Sequence, residues 1–250
     1  RSSAASDVYK RQGLRSAPEA GDALAALARR MGHTPVRAKD MPGFIVNHAG
    51  RGMNTEGLRV AQEAVATFAQ VDAVMREQAG FRMGPFELLD LTALDVSHPV
   101  MESIYRQFFD EPRFRPSPIT TVRLAGGLIG RKAGEGFYVY ADGQKQVPAE
   151  PPVPALPEGL KVWVSPKHAE GYARASALVE KLGATLVTGA TPDADALIIV
   201  TPFGDDVSTS VSAQGLNAGR TVGLDTLYAF DGAKRRTLMV SPATEGKWRD

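Results

Sequence analysis

Histidine, cysteine and serine often carry catalysis or metal binding, and their spacing is the first clue to function. The four histidines are scattered along the chain, at His33, His48, His98 and His168. Because zinc sites need several ligands at short, regular spacing, no metal site is predicted. The absence of cysteine excludes thiolate metal sites, disulfides and a cysteine nucleophile. The Gly-x-Ser-x-Gly elbow of serine hydrolases is also absent from the sequence.

A glycine-rich turn after a buried strand would indicate dinucleotide binding, because glycine lets a pyrophosphate approach a helix N-terminus. The place for such a turn follows the apolar segment 162–164, where the chain reads Ser165-Pro166-Lys167-His168. This turn has no glycine, and Pro166 lacks the backbone N–H that a phosphate would accept. We therefore predict that residues 158–240 bind no nucleotide, and nucleotide binding by this segment is the weaker alternative.

The composition is that of an ordinary globular protein. The 250 residues include 29 Lys and Arg against 28 Asp and Glu, and 43% are hydrophobic. This balance argues against a nucleic-acid partner and against disorder. No apolar run approaches the roughly 18 residues that span a bilayer, and no signal peptide opens the chain, so we expect a cytoplasmic protein without a membrane partner. Because the chain starts at Arg1 rather than Met, we expect a piece of something longer.

The segment from residue 42 to residue 140 has the apolar spacing of α-helices. The predicted helices are 44–66, 67–80, 86–91, 100–108 and 117–126. Upstream, Ser16 and Glu19 form a capping box for a helix ending at Gly32, and residues 35–38 are a possible strand. The polar residues 1–12 show no periodicity and carry no inference. The whole of 42–140 is therefore predicted to be an all-helical unit.

The second half of the chain has a different pattern. Residues 149–157 (AEPPVPALP) hold four prolines, which mark a semi-rigid linker. Beyond it, strand-like segments alternate with helical ones: strands at 161–165, 184–188, 196–200 and 221–224, and helices at 169–182 and 207–216. This alternation predicts a small parallel α/β layer of the dinucleotide-domain type.

Five ordered blocks of the sequence resemble a known family. They are residues 39–47 (KDMPGFIVN), 83–90 (MGPFELLD), 94–95 (LD), 116–118 (PSP) and 130–138 (GRKAGEGFY). These blocks are similar to the C-terminal helical domain of the 3-hydroxyacyl-CoA dehydrogenases, over residues 14–140 and more weakly to residue 250. The implied fold is that all-helical domain followed by a small, degenerate Rossmann-like parallel α/β domain. Two positions depart from the family: His48 replaces a usual Arg, and Ala93 a common Gly.

The resemblance implies an enzyme that oxidises (3S)-3-hydroxyacyl-CoA to 3-oxoacyl-CoA with NAD, in fatty acid or phenylacetate catabolism. In the family, an N-terminal Rossmann domain holds NAD and a His-Glu pair, and the helical domain closes over the acyl-CoA and supplies homodimer contacts. Neither member of the pair lies in the matched part of this chain. Two other residues of this chain correspond to functional residues of the family. Asn47 is the candidate catalytic residue, hydrogen-bonded at the reacting end of the substrate, and Lys132 is the candidate cofactor-binding residue.

Residues 158–240 resemble the reduced Rossmann repeat of longer bacterial members of the family, associated with phenylacetate and 3-hydroxyadipyl-CoA breakdown. Asp225 stands where an active copy has His, and Met239 where it has Glu, so this repeat is expected to be a scaffold. Residues 241–245 (SPATE) are similar to 16–19 (SAPE). The predicted domains are 1–13, an artefact or disordered; 14–41, the tail of a missing NAD domain; 42–140, helical; 141–157, linker; 158–240, reduced Rossmann-like; and 241–250, the start of a further repeat.

Two functions remain open at this point. The first is a fragment of an NAD-dependent 3-hydroxyacyl-CoA dehydrogenase, inactive alone because the NAD fingerprint and the His-Glu pair are missing from it. The second is a non-catalytic module of the same fold, for acyl-CoA binding or dimerisation. A glycine fingerprint and a His-Glu pair in the flanking sequence would favour the first. The acyl chain length and the choice between NAD and NADP stay open.

Overall fold

The computed structural model describes residues 9–11, 17–147, 149, 152–227 and 235–249. The chain packs into two compact units, which we call the helical unit (residues 1–68 and 85–146) and the α/β unit (residues 69–84 and 147–250). Within the described ranges, no helix is long and apolar enough to cross a bilayer.

Ten α-helices and nine β-strands are found among the described residues. The helices are α1 (Pro18–Arg30), α2 (Val46–Ala49), α3 (Arg51–Gln62), α4 (Phe68–Glu77), α5 (Pro85–Thr92), α6 (Leu94–Gln107), α7 (Pro118–Ala125), α8 (Ala169–Lys181), α9 (Val207–Gln214) and α10 (Gly246–Arg249). The strands are β1 (Tyr9–Arg11), β2 (Val36–Ala38), β3 (Val139–Ala141), β4 (Gln144–Gln146), β5 (Lys161–Val164), β6 (Thr185–Val187), β7 (Leu197–Val200), β8 (Thr221–Leu224) and β9 (Leu238–Val240).

The predicted helix 44–66 is two helices in the structure. α2 and α3 meet at Gly50, and α3 ends at Gln62, four residues earlier than predicted. The end follows from Ala64, whose φ of +54° places it in the left-handed region that terminates helices. The amide of Val65 then donates to the carbonyl of Val60, which satisfies a terminal acceptor.

α6 begins six residues before the predicted start at Val100. Pro99 lies inside this helix, although proline lacks the N–H that a helix interior uses. Its missing N–H leaves the carbonyl of Asp95, four residues earlier, without a helical hydrogen bond, and its ring crowds that carbonyl. α7 confirms the prediction of a start at Ser117, whose hydroxyl accepts a hydrogen bond from the amide of Ile119 at 3.2 Å.

Near the N-terminus, the structure departs from one expectation. α1 begins at Pro18 with Ala17 at the N-cap and no side-chain cap, whereas we predicted a Ser16–Glu19 capping box. Ser16 itself lies outside the described residues, and proline in the first turn tolerates the missing cap. β1 pairs in parallel with β2. It lies within residues 1–13, whose interpretation as an artefact or disordered stays a prediction.

The α/β unit contains a five-stranded sheet in the order β6-β5-β7-β8-β9. β5 to β8 are parallel, as predicted, and β9 runs antiparallel to β8. Alternate residues of the strands pack against α8, because side chains on a strand alternate between its two faces. This core contains Val162, Val164, Ala175, Val179, Ile199, Val222 and Leu224.

Candidate functional site

An open groove of about 430 Å³ lies in the helical unit, on the side where the chain enters α2. It is lined by residues 40–44, Asn47 and the α6 residues Val100, Ser103, Ile104 and Gln107. One wall is therefore the MPGF turn of the first block, and the other is a mixed polar and apolar face of α6. A concave surface with several polar groups on its walls is a candidate site for a small molecule.

Gly43 sets the geometry of this groove. Its φ is +78°, and a Cβ there would stand 2.9 Å from the backbone nitrogen of His48. Only glycine fits both the conformation and the contact. The carbonyl of Gly43 accepts a hydrogen bond from that His48 amide at 3.1 Å, which starts α2. Asn47 is thereby placed in the first turn of α2, exposed and facing the groove.

The Asn47 side chain contacts a charged residue. Nη2 of Arg51, one turn later, lies 3.5 Å from Oδ1 of Asn47. An amide can donate to a substrate oxygen without changing its own charge during a reaction. Asn47 is thus placed where it could hydrogen-bond an oxygen of a molecule in the groove.

Lys132 lies elsewhere in the helical unit. It belongs to a 3-10 turn, Arg131–Ala133, and its Nζ pairs with the carboxylate of Asp95 in α6. Both side chains are about half exposed, and Lys132 does not line the groove. The structure thus places Asn47 and Lys132 on separate parts of the unit's surface.

Asp90 was not singled out from the sequence, yet it organises the loop that carries Lys132. The carboxylate is fully buried at the end of α5 and accepts hydrogen bonds from the amides of Phe137 at 2.8 Å and Tyr138 at 3.0 Å and from the Tyr140 hydroxyl at 3.0 Å. A Cβ on Gly136 would collide with this carboxylate. The ELLD and GEGFY blocks therefore belong to one structural clasp.

Burial shifts the pKa values of the ionisable groups in this clasp. Desolvation raises the pKa of Asp90 above its ordinary value, while the three hydrogen bonds and the Arg123 guanidinium act in the opposite direction. Burial and the neighbouring carboxylate raise the pKa of Tyr140, which keeps its hydroxyl a donor. Arg123 also stacks over the Phe137 ring, 4.6 Å from its centroid.

His48, which stands where the family usually has Arg, packs against two phenylalanine rings. Its ring lies 5.1 Å from the centroids of both Phe108 and Phe114, in tilted arrangements typical of aromatic packing. The two phenylalanine rings are themselves 4.9 Å apart. His48 is therefore part of an aromatic cluster that holds α2 against the end of α6.

Ala93, the other departure, is strained. Its φ is +64° and its ψ 143°, a conformation that is nearly glycine-only, and the residue is buried. Ala93→Gly should therefore raise the free energy of unfolding by about 1 kcal/mol, the relief of strain exceeding glycine's added unfolded-state entropy. Urea denaturation followed by circular dichroism measures this, and Ala93→Val should lower the midpoint. An Ala93→Gly protein less stable than its parent would contradict the strain argument.

The α/β unit keeps the packing of a dinucleotide-binding fold without its phosphate site. Gly171, in the first turn of α8, allows close approach of helix and strand, since a Cβ there would collide with Thr201. The β5–α8 connection, however, contains no glycine, and Glu170 places a carboxylate at the helix N-terminus, paired with Arg174 at 2.6 Å. These residues do not fit a pyrophosphate, which needs free backbone amides and no competing anion.

Asp225 and Met239, which the resemblance places where an active copy has His and Glu, both contact neighbouring residues of the α/β unit. The Asp225 carboxylate accepts hydrogen bonds from Nε2 of Gln78, at 2.7 Å, and from the amide of Leu227, at 2.9 Å. Met239 packs against Gly223 on the adjacent strand; a Cβ on that glycine would stand 3.1 Å from Met239 Cε. Both side chains thus have structural contacts within the α/β unit.

The MPGF turn, the Asn47 groove and the Asp90 clasp all lie in one segment of the helical unit. This segment, residues 43–140, matches the family model described as "3-hydroxyacyl-CoA dehydrogenase, C-terminal domain". The resemblance inferred from the sequence blocks is therefore confirmed, as is the fold class of helices followed by an α/β layer.

Individual relatives carry names consistent with that family. This chain is 41% identical to 3-hydroxyadipyl-CoA dehydrogenase of Escherichia coli over 126 residues. The aligned residues are 50% of this chain and 26% of that enzyme. The crystal structure of 3-hydroxybutyryl-CoA dehydrogenase from E. coli aligns with 95% of this chain, over 44% of its own chain. The sequence identity is 27% and the TM-score is 0.74. The crystal structure of (S)-3-hydroxybutyryl-CoA dehydrogenase from Ralstonia eutropha aligns with 55% of this chain, over 48% of its own chain. The sequence identity is 33% and the TM-score is 0.53. The chain thus spans between a quarter and half of these relatives.

Proposed function

We propose that this chain is part of an NAD-dependent 3-hydroxyacyl-CoA dehydrogenase, which oxidises the 3-hydroxyl of an acyl-CoA to a ketone. One observation carries the proposal: within the family-matched segment, the PGF turn places an exposed asparagine at the wall of an open groove. The groove is the place for the acyl end of the substrate. The names of the relatives, which include dehydrogenases of hydroxybutyryl-CoA and hydroxyadipyl-CoA, support the reaction class.

Asn47 is proposed to donate a hydrogen bond from its side-chain amide to the substrate's C3 oxygen. That oxygen gains carbonyl character as hydride leaves C3, and a fixed donor holds it in place throughout. Lys132 is proposed to attract the anionic cofactor from its loop, and its exposed pair with Asp95 is weak enough to exchange for a phosphate. A general base for the hydroxyl proton is assigned to a histidine outside this chain.

NAD is proposed to bind a domain that this chain does not contain, because the β5–α8 connection, where a dinucleotide-binding turn is expected, has no glycine and carries Glu170 at the helix N-terminus. The α/β unit then serves as a scaffold, and the helical unit supplies the contacts of a homodimer. For the acyl group, the E. coli relative's name makes 3-hydroxyadipyl-CoA one candidate substrate, alongside 3-hydroxybutyryl-CoA.

A domain graft tests this function. Residues 43–140 replace the matching segment of the R. eutropha (S)-3-hydroxybutyryl-CoA dehydrogenase, and the rest of that enzyme is kept. The graft should form NADH from 3-hydroxybutyryl-CoA, and the same graft carrying Asn47→Ala should be far slower. A graft that folds and binds NAD but does not turn over would count against a catalytic role and favour a binding module.

A further inference from the structure

Arg51, the first residue of α3, carries a charge without a counter-ion among the described residues. The residue is only 5% exposed, and its Nε has no hydrogen-bond partner there. Burial lowers the pKa of Arg51 from its ordinary value. A buried cation without a partner is costly, and its position at the positive end of a helix adds to that cost. Stability alone therefore gives no reason for an arginine here.

The one polar side chain that Arg51 reaches, among those described, is Asn47. Side chains four residues apart lie on one helical face, and the Cα–Cβ bond tilts Arg51 back toward Asn47. The guanidinium has only N–H donors, so the amide atom that faces it must be the oxygen. The Nδ2 hydrogens of Asn47 are then left for a molecule in the groove.

We propose that Arg51 is a positioning residue for Asn47: its guanidinium holds the amide oxygen, so that the amide N–H groups face the substrate oxygen. The proposal rests on the proposed dehydrogenase function. Without Arg51 the amide could rotate by half a turn about its terminal bond, and its oxygen would then repel the substrate oxygen. Donation from a cation also polarises the amide and strengthens its N–H as a donor.

Steady-state kinetics of the intact polypeptide that contains this chain test the proposal. Arg51→Met keeps the length of the side chain and removes the donors, and Arg59→Met makes the same change at an exposed position of α3. Arg51→Met should lower kcat about tenfold with the KM for the acyl-CoA nearly unchanged, and Arg59→Met should change neither. The thermal midpoint of Arg51→Met should stay level or rise, because a buried unpaired charge is lost.

Two further variants separate positioning from a structural role. Arg51→Lys, which keeps a donor, should recover part of kcat, and Arg51→Met should slow an Asn47→Ala enzyme no further. An unchanged kcat in a folded Arg51→Met enzyme, or an equal loss in both backgrounds, would overturn the assignment. If the unsubstituted polypeptide itself does not turn over, the proposed function fails, and the role of Arg51 with it.

Discussion

Replacing Asp90 with alanine should destabilise the helical unit by at least about 3 kcal/mol. The substitution leaves two buried amides, of Phe137 and Tyr138, and the Tyr140 hydroxyl without an acceptor. Each unsatisfied buried donor costs about 1–3 kcal/mol, and the cavity adds to this. The thermal midpoint of the unit should fall by about 10 °C.

The location of the two tryptophans makes this prediction specific. Trp163 and Trp248 both lie in the α/β unit, so their fluorescence follows that unit, whereas far-ultraviolet circular dichroism follows both. Asp90→Ala should shift the dichroism transition much more than the fluorescence transition. The control is Asp95→Ala, which removes only an exposed ion pair and should cost less than about 1 kcal/mol. Equal effects of the two substitutions would contradict the role of the clasp.

Replacing Asn47 with alanine should lower kcat/KM of the intact polypeptide for 3-hydroxybutyryl-CoA by about 10²–10³-fold. This is the usual loss when one fixed donor to a reacting oxygen is removed. Asn47 is exposed and its contact with Arg51 is long, at 3.5 Å, so the substitution should lower the thermal midpoint by only a few degrees. Initial rates of NADH formation, with folding checked by circular dichroism, provide the measurement.

Asn54→Ala is the matched control for that loss. Asn54 lies on α3, is buried, and its side-chain oxygen has no hydrogen-bond partner among the described residues. Its removal should leave kcat/KM within about threefold of the parent, because Asn54 does not line the groove. Should Asn47→Ala behave like Asn54→Ala, the groove would not be the catalytic site.

The sequence predicted the helices and strands that depend on residues close together in the chain. Ser117 and Pro118 start α7 by side-chain capping, and apolar runs such as 197–200 form strands because they pack on both faces. The break at Gly50 and the end of α3 were missed, since they depend on how neighbouring turns pack. β9 was not among the predicted strands of the α/β layer, and its antiparallel direction is set by the connections and not by the strand's own residues.

The residues of the candidate site were also predicted only in part. Asn47 was found through the resemblance, and the structure adds its groove. Asp90 and Arg51 were missed because their importance arises from burial and from partners brought together by folding: Asp90 and Phe137 are 47 residues apart. A carboxylate ending the apolar ELLD segment was the available signal, since a buried acid needs donors from elsewhere in the chain.

The most direct test of the proposed function compares NADH formation by the intact polypeptide and by the 250-residue chain, each supplied with 3-hydroxybutyryl-CoA and NAD. We expect the intact polypeptide to turn over and the chain alone to show no rate above background, because the general base and the NAD site are assigned to residues outside it. Turnover by the chain alone would contradict that assignment. An intact polypeptide that binds acyl-CoA without forming NADH would contradict the dehydrogenase function itself.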